Sequence, residues 1–286
     1  MPIIDTHQHL WDLERFRLPW TAGEPQLAKS FLMRDYLAAA AGLDIVQTVY
    51  MEVDLAVEQQ WAEAQFAADL CAQENNPMTA AVVSGRPGKA GFSDYLDRLR
   101  DLPAVRGLRQ VLHSPATPPR YCLQPEFFQD IRRLGERGLS FDICIRREEL
   151  SDAAALVAAC PDTRFILDHC GNADVKAPAD AQAKWRRDIE TIAQHSNVMC
   201  KVSGFIVTAR GAPWSAETLA PIVKHVRDCF GPNRLLFGGD WPVCTLAASL
   251  VQWVKALQEI VADWPEEDQQ KLFWRNAVEF YQLPPV

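Results

Sequence analysis

Positive charge is scarce in this chain. Its 286 residues carry 29 Lys and Arg against 37 Asp and Glu, a formal net charge of −8. No Lys/Arg cluster falls on a helical face, which argues against a nucleic-acid surface. The pairs Arg132-Arg133, Arg146-Arg147 and Arg186-Arg187 read as solvated charge. No apolar run approaches the roughly 18 residues of a membrane span, so no membrane partner is expected. No basic n-region and apolar h-region precede the first apolar segment, so the expected location is cytoplasmic. The eight cysteines are scattered and form no Cys-x-x-Cys pair. That excludes a zinc ribbon or dithiol redox motif and points to free thiols in a reducing compartment. Also missing are a linker, a low-complexity tract and an internal repeat, so residues 1–286 are expected to form one domain.

What is present is ordinary for a large globular core: 48% hydrophobic and 23% charged residues. Short runs rich in Val, Ile, Leu and Phe recur along the chain. They predict strands near 3–6, 45–51, 79–83, 105–111, 141–145, 164–167, 198–202 and 235–237. Helical patterns separate them. Residues 56–74 place Val57, Trp61, Ala64, Ala68 and Cys71 on one face. Ser93 is expected to cap a helix through Leu102. Pro125 suits the first turn of a helix that stops at Gly138. Further helices are expected over 153–159, 181–194 and 216–230, the last between Ser215 and Gly231. Thr245 is the expected cap after the final strand, and Pro265 opens a terminal helix ending near Tyr281. Strict alternation implies a parallel sheet, and eight units imply a closed (β/α)8 barrel of the TIM type with a C-terminal helix. A doubly wound open sheet would want a Gly-rich phosphate turn after the first strand, and none is there.

Barrel sites form at the C-terminal ends of the strands. The polar residues collect there. The first strand delivers His7 and His9, whose alternate spacing turns both to one side, about 7 Å apart. The second ends with Glu52 and Asp54. The fourth carries Arg109 and leads to His113. The sixth ends Leu167-Asp168-His169, where alternation turns Asp168 away from His169 into a structural place. The seventh holds Lys201 and Ser203, and the eighth ends with Asp240. His195 and His225 fall on helices and are expected outside. Imidazole and carboxylate converging on one axis suit a single zinc ion with an open position for water. Asp240 is then the proton-transfer group. Arg109, His113, His169 and Lys201 are candidates to stabilise an oxyanion or hold the substrate. The competing reading puts Arg109 and Lys201 into interior ion pairs with Glu52 or Asp142. Aromatics after the first strand, among them Phe16 and Trp20, either line the mouth or pack over the barrel top.

Several stretches carry a resemblance. They are Ile4-Asp5-Thr6-His7-Gln8-His9-Leu10-Trp11-Asp12, Leu167-Asp168-His169-Cys170-Gly171, Cys200-Lys201-Val202-Ser203-Gly204 and Leu236-Phe237-Gly238-Gly239-Asp240-Trp241-Pro242. In that order they resemble the amidohydrolase superfamily, and within it the lactonase-like amidohydrolase 2 branch of sugar-lactone hydrolases. The resemblance implies a distorted (β/α)8 barrel with His7, His9, His169 and Asp240 as core site residues. The fifth strand ends at Arg146 without the histidine of binuclear members, and the fourth supplies no lysine to bridge two metals. One divalent metal, zinc, is therefore expected at most, on His7, His9 and Asp240 with Glu52 as an added ligand. Members of this branch differ in whether they need it. The implied function is a hydrolase opening the lactone of a sugar acid or related carboxylated ring. The rival is a metal-dependent decarboxylase of an aromatic or unsaturated acid on the same scaffold; a barrel that only binds a sugar acid is the non-enzymatic reading. The expected partner is a small-molecule substrate, with a homo-oligomer possible.

Overall fold

Eight short apolar segments lie side by side in one parallel sheet. The computed structural model describes residues 1–286. Its strands are β1 (Ile3–Gln8), β2 (Ile45–Met51), β3 (Met78–Ser84), β4 (Val105–Val111), β5 (Ser140–Cys144), β6 (Arg164–Leu167), β7 (Val198–Val202) and β8 (Leu235–Phe237). Each is hydrogen-bonded to its chain neighbours from β1 to β8. At three residues, β8 is too short to ladder fully with β1. The seam closes just beyond it, where His9 N–H donates to Trp241 O and Asp240 N–H to His7 O, both at 2.9 Å. Closure thus happens at the end of the barrel where β1 and β8 deliver His7, His9 and Asp240.

The opposite end is plugged. Ala277, Phe280, Tyr281 and Leu283 pack against the inward side chains of Ile4, Val49, Met51, Ala80, Val82, Ile166 and Leu236. Arg164 Nη1 donates to Phe280 O (2.6 Å) and Gln47 Nε2 to Pro284 O (2.8 Å), which fixes the plug. The plug seals the bottom with apolar surface and leaves only the strand C-termini open.

The helices form the outer layer. Pro125 opens the helix Pro125–Glu136, which buries Phe127, Ile131 and Leu134 at i, i+4 and i+7. Each such side chain contributes about 1.5–3 kcal/mol on full burial. Gly138, at φ +73°, follows its end as the sequence predicts. Two caps differ from expectation. Gly91, at φ +82°, is the N-cap of Phe92–Arg98, which places Ser93 inside the first turn. Ser249, not Thr245, caps the helix Leu250–Ile260, its hydroxyl accepting from Gln252 N–H; Thr245 sits in a preceding short 3-10 turn. The terminal helix carries a π turn, Lys271–Arg275, between Glu266–Gln270 and Asn276–Tyr281. No helix is long and apolar enough to cross a membrane. All eight cysteines are free.

Candidate active site

The first strand is bent to deliver its histidines. Its register against β2 slips between Asp5 and Gln8. The buried Asp5 carboxylate holds the irregular segment: Oδ1 accepts from His7 N–H (3.0 Å) and Gly239 N–H (2.7 Å), and Oδ2 from Tyr36 Oη (2.8 Å). Asp5 therefore ties the histidine strand to the aspartate loop. The chain approaches so closely here that a Cβ on Gly238 would lie 2.7 Å from that of His7. Asp240 follows in a left-handed conformation, φ +53°.

The sixth strand delivers its histidine by a different device. His169, Cys170, Gly171 and Asn172 have φ between +52° and +67°, a single left-handed turn. That conformation costs roughly 1–2 kcal/mol for each non-glycine residue. Three bonds hold it: Gly171 N–H to Asp168 O (2.8 Å), Trp185 Nε1 to Cys170 O (2.8 Å) and Asn172 Nδ2 to Ile145 O (2.7 Å). The turn breaks strand alternation. Asp168 points into the barrel like Ile166, and His169 is swung back over it. The expectation that the two face opposite ways fails for this reason. His169 Nδ1 meets Ser203 Oγ at 2.8 Å, which leaves the other ring nitrogen for the cavity.

These groups meet at the floor of a cavity of about 440 Å³ lined by His9, Arg109, His113, His169 and Asp240 among others. Asp240 Oδ1 stands 3.3 Å from His9 Nε2 and 3.6 Å from His7 Nε2. His9 Nδ1 lies 3.0 Å from Met51 O, a pure acceptor, so Nδ1 carries the proton. Behind His7, Asp168 Oδ1 is 3.5 Å from Nδ1. Two imidazole nitrogens thus turn toward one carboxylate oxygen, an arrangement of acceptors that asks for a proton or a cation between them. His7, His169 and Asp240 also bring donor atoms within 4.8 Å of one another. The donor set fits a divalent ion.

Burial shapes the charges. His7 is held well below the usual imidazole range by burial, with His169 and Lys201 adding to it against Asp168. Burial also lowers His169. His113 is exposed to the cavity, yet the surrounding protein, His169 and Arg109 disfavour its imidazolium. Burial alone would raise the Asp168 carboxyl, but Lys201 and His7 outweigh it and hold it well below the carboxylate range.

Three candidates need correction or refinement. Lys201 is fully buried beneath the floor, 2.7 Å from Asp142 and 3.3 Å from Asp168, and does not line the cavity. It cannot touch a substrate there; its place is the interior ion pair. Glu52 is already engaged: Oε1 accepts from Arg109 Nε (2.8 Å) and Oε2 from Asp54 N–H (2.7 Å). It stands outside the His7–His169–Asp240 group, and its observed work is to hold Arg109. Arg109 lines the cavity while paired with Glu52 and Asp168, its Nη1 3.2 Å from His7 Nε2. Trp20 lines the mouth and anchors its indole N–H on Val53 O (2.8 Å), whereas Phe16 is buried against Phe66. His225 packs outside the barrel on Trp185, and Cys144, in the cavity wall, has its thiol pushed up by burial.

The chain matches the amidohydrolase family profile over residues 4–283. The chain belongs to the amidohydrolase family. An L-fucono-1,5-lactonase of Burkholderia multivorans is 27% identical over 300 residues, covering 98% of this chain and 96% of that protein. An L-rhamnono-gamma-lactonase of Scheffersomyces stipitis is 21% identical over 335 residues, covering 98% of each. A crystal structure of a Burkholderia multivorans amidohydrolase with bound zinc superposes with a TM-score of 0.88 at 25% identity, covering 99% of this chain and 100% of that one. The eight-stranded parallel barrel is the architecture that this amidohydrolase was expected to have.

Proposed function

We propose that this amidohydrolase opens a lactone ring by adding water across the acyl carbon–oxygen bond. The observation that carries the reading is the Asp240 carboxylate, at the floor of the cavity with His7 and His9 within 3.6 Å of one oxygen. Names borne by relatives along nearly the whole chain agree with it.

Asp240 takes a proton from water as the oxygen attacks the ester carbonyl. Negative charge develops on the carbonyl oxygen, and the guanidinium of Arg109 stands at the cavity wall to stabilise it, joined by the His169 imidazole when no ion occupies that ring's free nitrogen. One such donor is worth roughly 10²–10³ in rate. The ring oxygen leaves and receives the proton from Asp240, giving a hydroxy acid. General acid–base assistance of this kind contributes about 10²–10⁴. His113, uncharged near neutral pH, is placed to hydrogen-bond the substrate. Lys201 and Asp142 act from below by holding Asp168, which orients His7.

His7, His9, His169 and Asp240 would hold one divalent ion, zinc by their chemistry, with Asp168 and the Met51 carbonyl behind the imidazoles. When bound, such an ion lowers the pKa of a water molecule and polarises the carbonyl.

The test is a pH-indicator screen of lactones with purified protein, run with and without chelator beside elemental analysis. Release of one acid per ring opened supports the reading. Carbon dioxide release from an aromatic acid, with no lactone turned over, replaces it with the decarboxylase.

A further inference from the structure

Glu63 is a fully buried acid that the proposed reaction leaves unused. It stands on the helix Gln60–Cys71, in the outer layer, and reaches the C-terminal ends of β2 and β3. None of its hydrogen-bond partners is a cation. Oε1 accepts from Val53 N–H (3.1 Å) and Tyr50 Oη (3.2 Å), and Oε2 from Ser84 N–H (2.9 Å). A buried acid without an ion pair is retained only where hydrogen bonds offset its desolvation.

Both backbone donors lead to Arg109. The Glu52–Val53 peptide is held at its two ends: Val53 N–H by Glu63, and Glu52 O by Arg109 Nη2 at 2.8 Å. Arg109 Nε closes on Glu52 Oε1, also at 2.8 Å. A peptide unit is planar, so turning its N–H turns its carbonyl with it. Ser84 is the β3 residue paired in register with Arg109 on β4, and the next amide, Gly85 N–H, donates to Arg109 O at 3.0 Å. Glu63 therefore reaches the head of Arg109 through one oxygen and its backbone through the other. The two N–H groups can only donate, so both oxygens accept whether or not the carboxyl carries a proton. Burial and the Glu52 charge push the Glu63 carboxyl up to about 8, and Tyr50 Oη, able to donate or accept, is the partner that can turn with that proton.

We propose that Glu63 is a positioning residue: from the outer layer it fixes the Glu52–Val53 peptide and Ser84, and through them the aim of the Arg109 guanidinium at the cavity. Its effect on turnover rests on the lactonase reading, in which Arg109 meets the developing negative charge.

The test is Glu63→Gln, which keeps the shape. Its amide has one oxygen to accept, so one of the two backbone N–H groups is left facing a donor. The first readout needs no substrate: the Arg109 Nε–H resonance in protein labelled with nitrogen-15 arginine, assigned by its loss in Arg109→Lys. It is expected to shift in folded Glu63→Gln. The second readout is kcat/KM on a lactone that wild type turns over. Glu63→Gln is expected to lower it roughly tenfold, the scale of one hydrogen bond to a charged group. The loss should fall in kcat with KM little changed, because the charge that Arg109 meets forms only in the transition state. Arg109→Lys keeps the charge but not the fork that reaches Glu52 O. In that background Glu63→Gln is expected to change kcat/KM by less than about twofold, since the two residues act as one unit. A merely structural loss would cost both backgrounds alike. Should Glu63→Gln fail to fold, Glu63→Asp, which keeps the acid and falls one methylene short, carries the same two readouts. Where Arg109→Lys has no measurable turnover, the resonance decides. An Arg109 resonance that stays in place in the folded variant overturns the proposal, and so does an equal loss in both backgrounds. A shifted resonance in a protein whose wild type opens no lactone removes the lactonase reading and leaves the hold on Arg109 standing.

Discussion

Asp168 Oδ1 stands 3.5 Å from His7 Nδ1, and the same oxygen is 3.3 Å from Lys201 Nζ. The carboxylate is therefore shared between a site imidazole and an interior ammonium, while Arg109 Nη1 stands 3.2 Å from the opposite ring nitrogen of His7. Asp168→Asn keeps the shape and removes the charge. Loss of a carboxylate behind a site histidine typically costs 10–100-fold. Steady-state kinetics of this variant are expected to show kcat lowered by about that factor.

The same carboxylate sets a pH dependence of stability. Its folded pKa is depressed, by Lys201 and His7 against the opposing effect of burial. The unfolded chain thus binds a proton first as pH falls, at about 3.9. The stability that Asp168 contributes is fully present above that value, starts to fall there and is lost as pH drops on to the lower folded pKa. Thermal melts of wild type and Asp168→Asn should show a gap in Tm that is constant between pH 7 and 5 and narrows by pH 3. A gap that stays constant to pH 3 would refute this account of Asp168.

Lys201 is buried with Asp142 at 2.7 Å. Removing one member of a buried pair leaves the other uncompensated, at a cost of about 3–5 kcal/mol. Lys201→Met should destabilise by that order in denaturant titrations. Lys201→Met with Asp142→Leu should recover part of it, because the stranded anion is gone.

Gly204, at φ +63°, lies against the site: a Cβ there would be 2.2 Å from His169 Nδ1. Gly204→Ala combines a strained backbone with a collision on the imidazole ring. Activity should fall at least tenfold, and Tm should fall with it, since this conformation alone costs about 1–2 kcal/mol for a non-glycine residue.

The barrel was legible because its signal is repetitive. Eight apolar runs in alternation with helical faces specify a parallel closed sheet, and each observed strand overlaps its predicted segment. His7, His9 and Asp240 were legible for a related reason: strand ends are where this fold places chemistry. The departures have local causes. Asp168 was turned away from His169 because period-2 alternation was applied between the two, although the left-handed turn that begins at His169 swings its ring back over Asp168. Lys201 carries the same side-chain chemistry whether it faces a substrate or an ion pair, and only depth along β7 separates the two. Asp5 went unmarked as a site-building residue because its partners, Tyr36 and Gly239, are distant in sequence. Left-handed backbone at His169, Cys170 and Asn172 leaves almost no sequence mark beyond the adjoining Gly171.

Asp240, whose Oδ1 faces His7 and His9, is the group proposed above to transfer the proton. Asp240→Asn is close in shape and tolerates the left-handed backbone. The decisive measurement is kcat/KM of Asp240→Asn on the lactone that wild type turns over best, taken beside its Tm. A loss of about 10²–10⁴ with the fold intact is the expected result. Full lactonase activity in a folded Asp240→Asn would contradict the central claim.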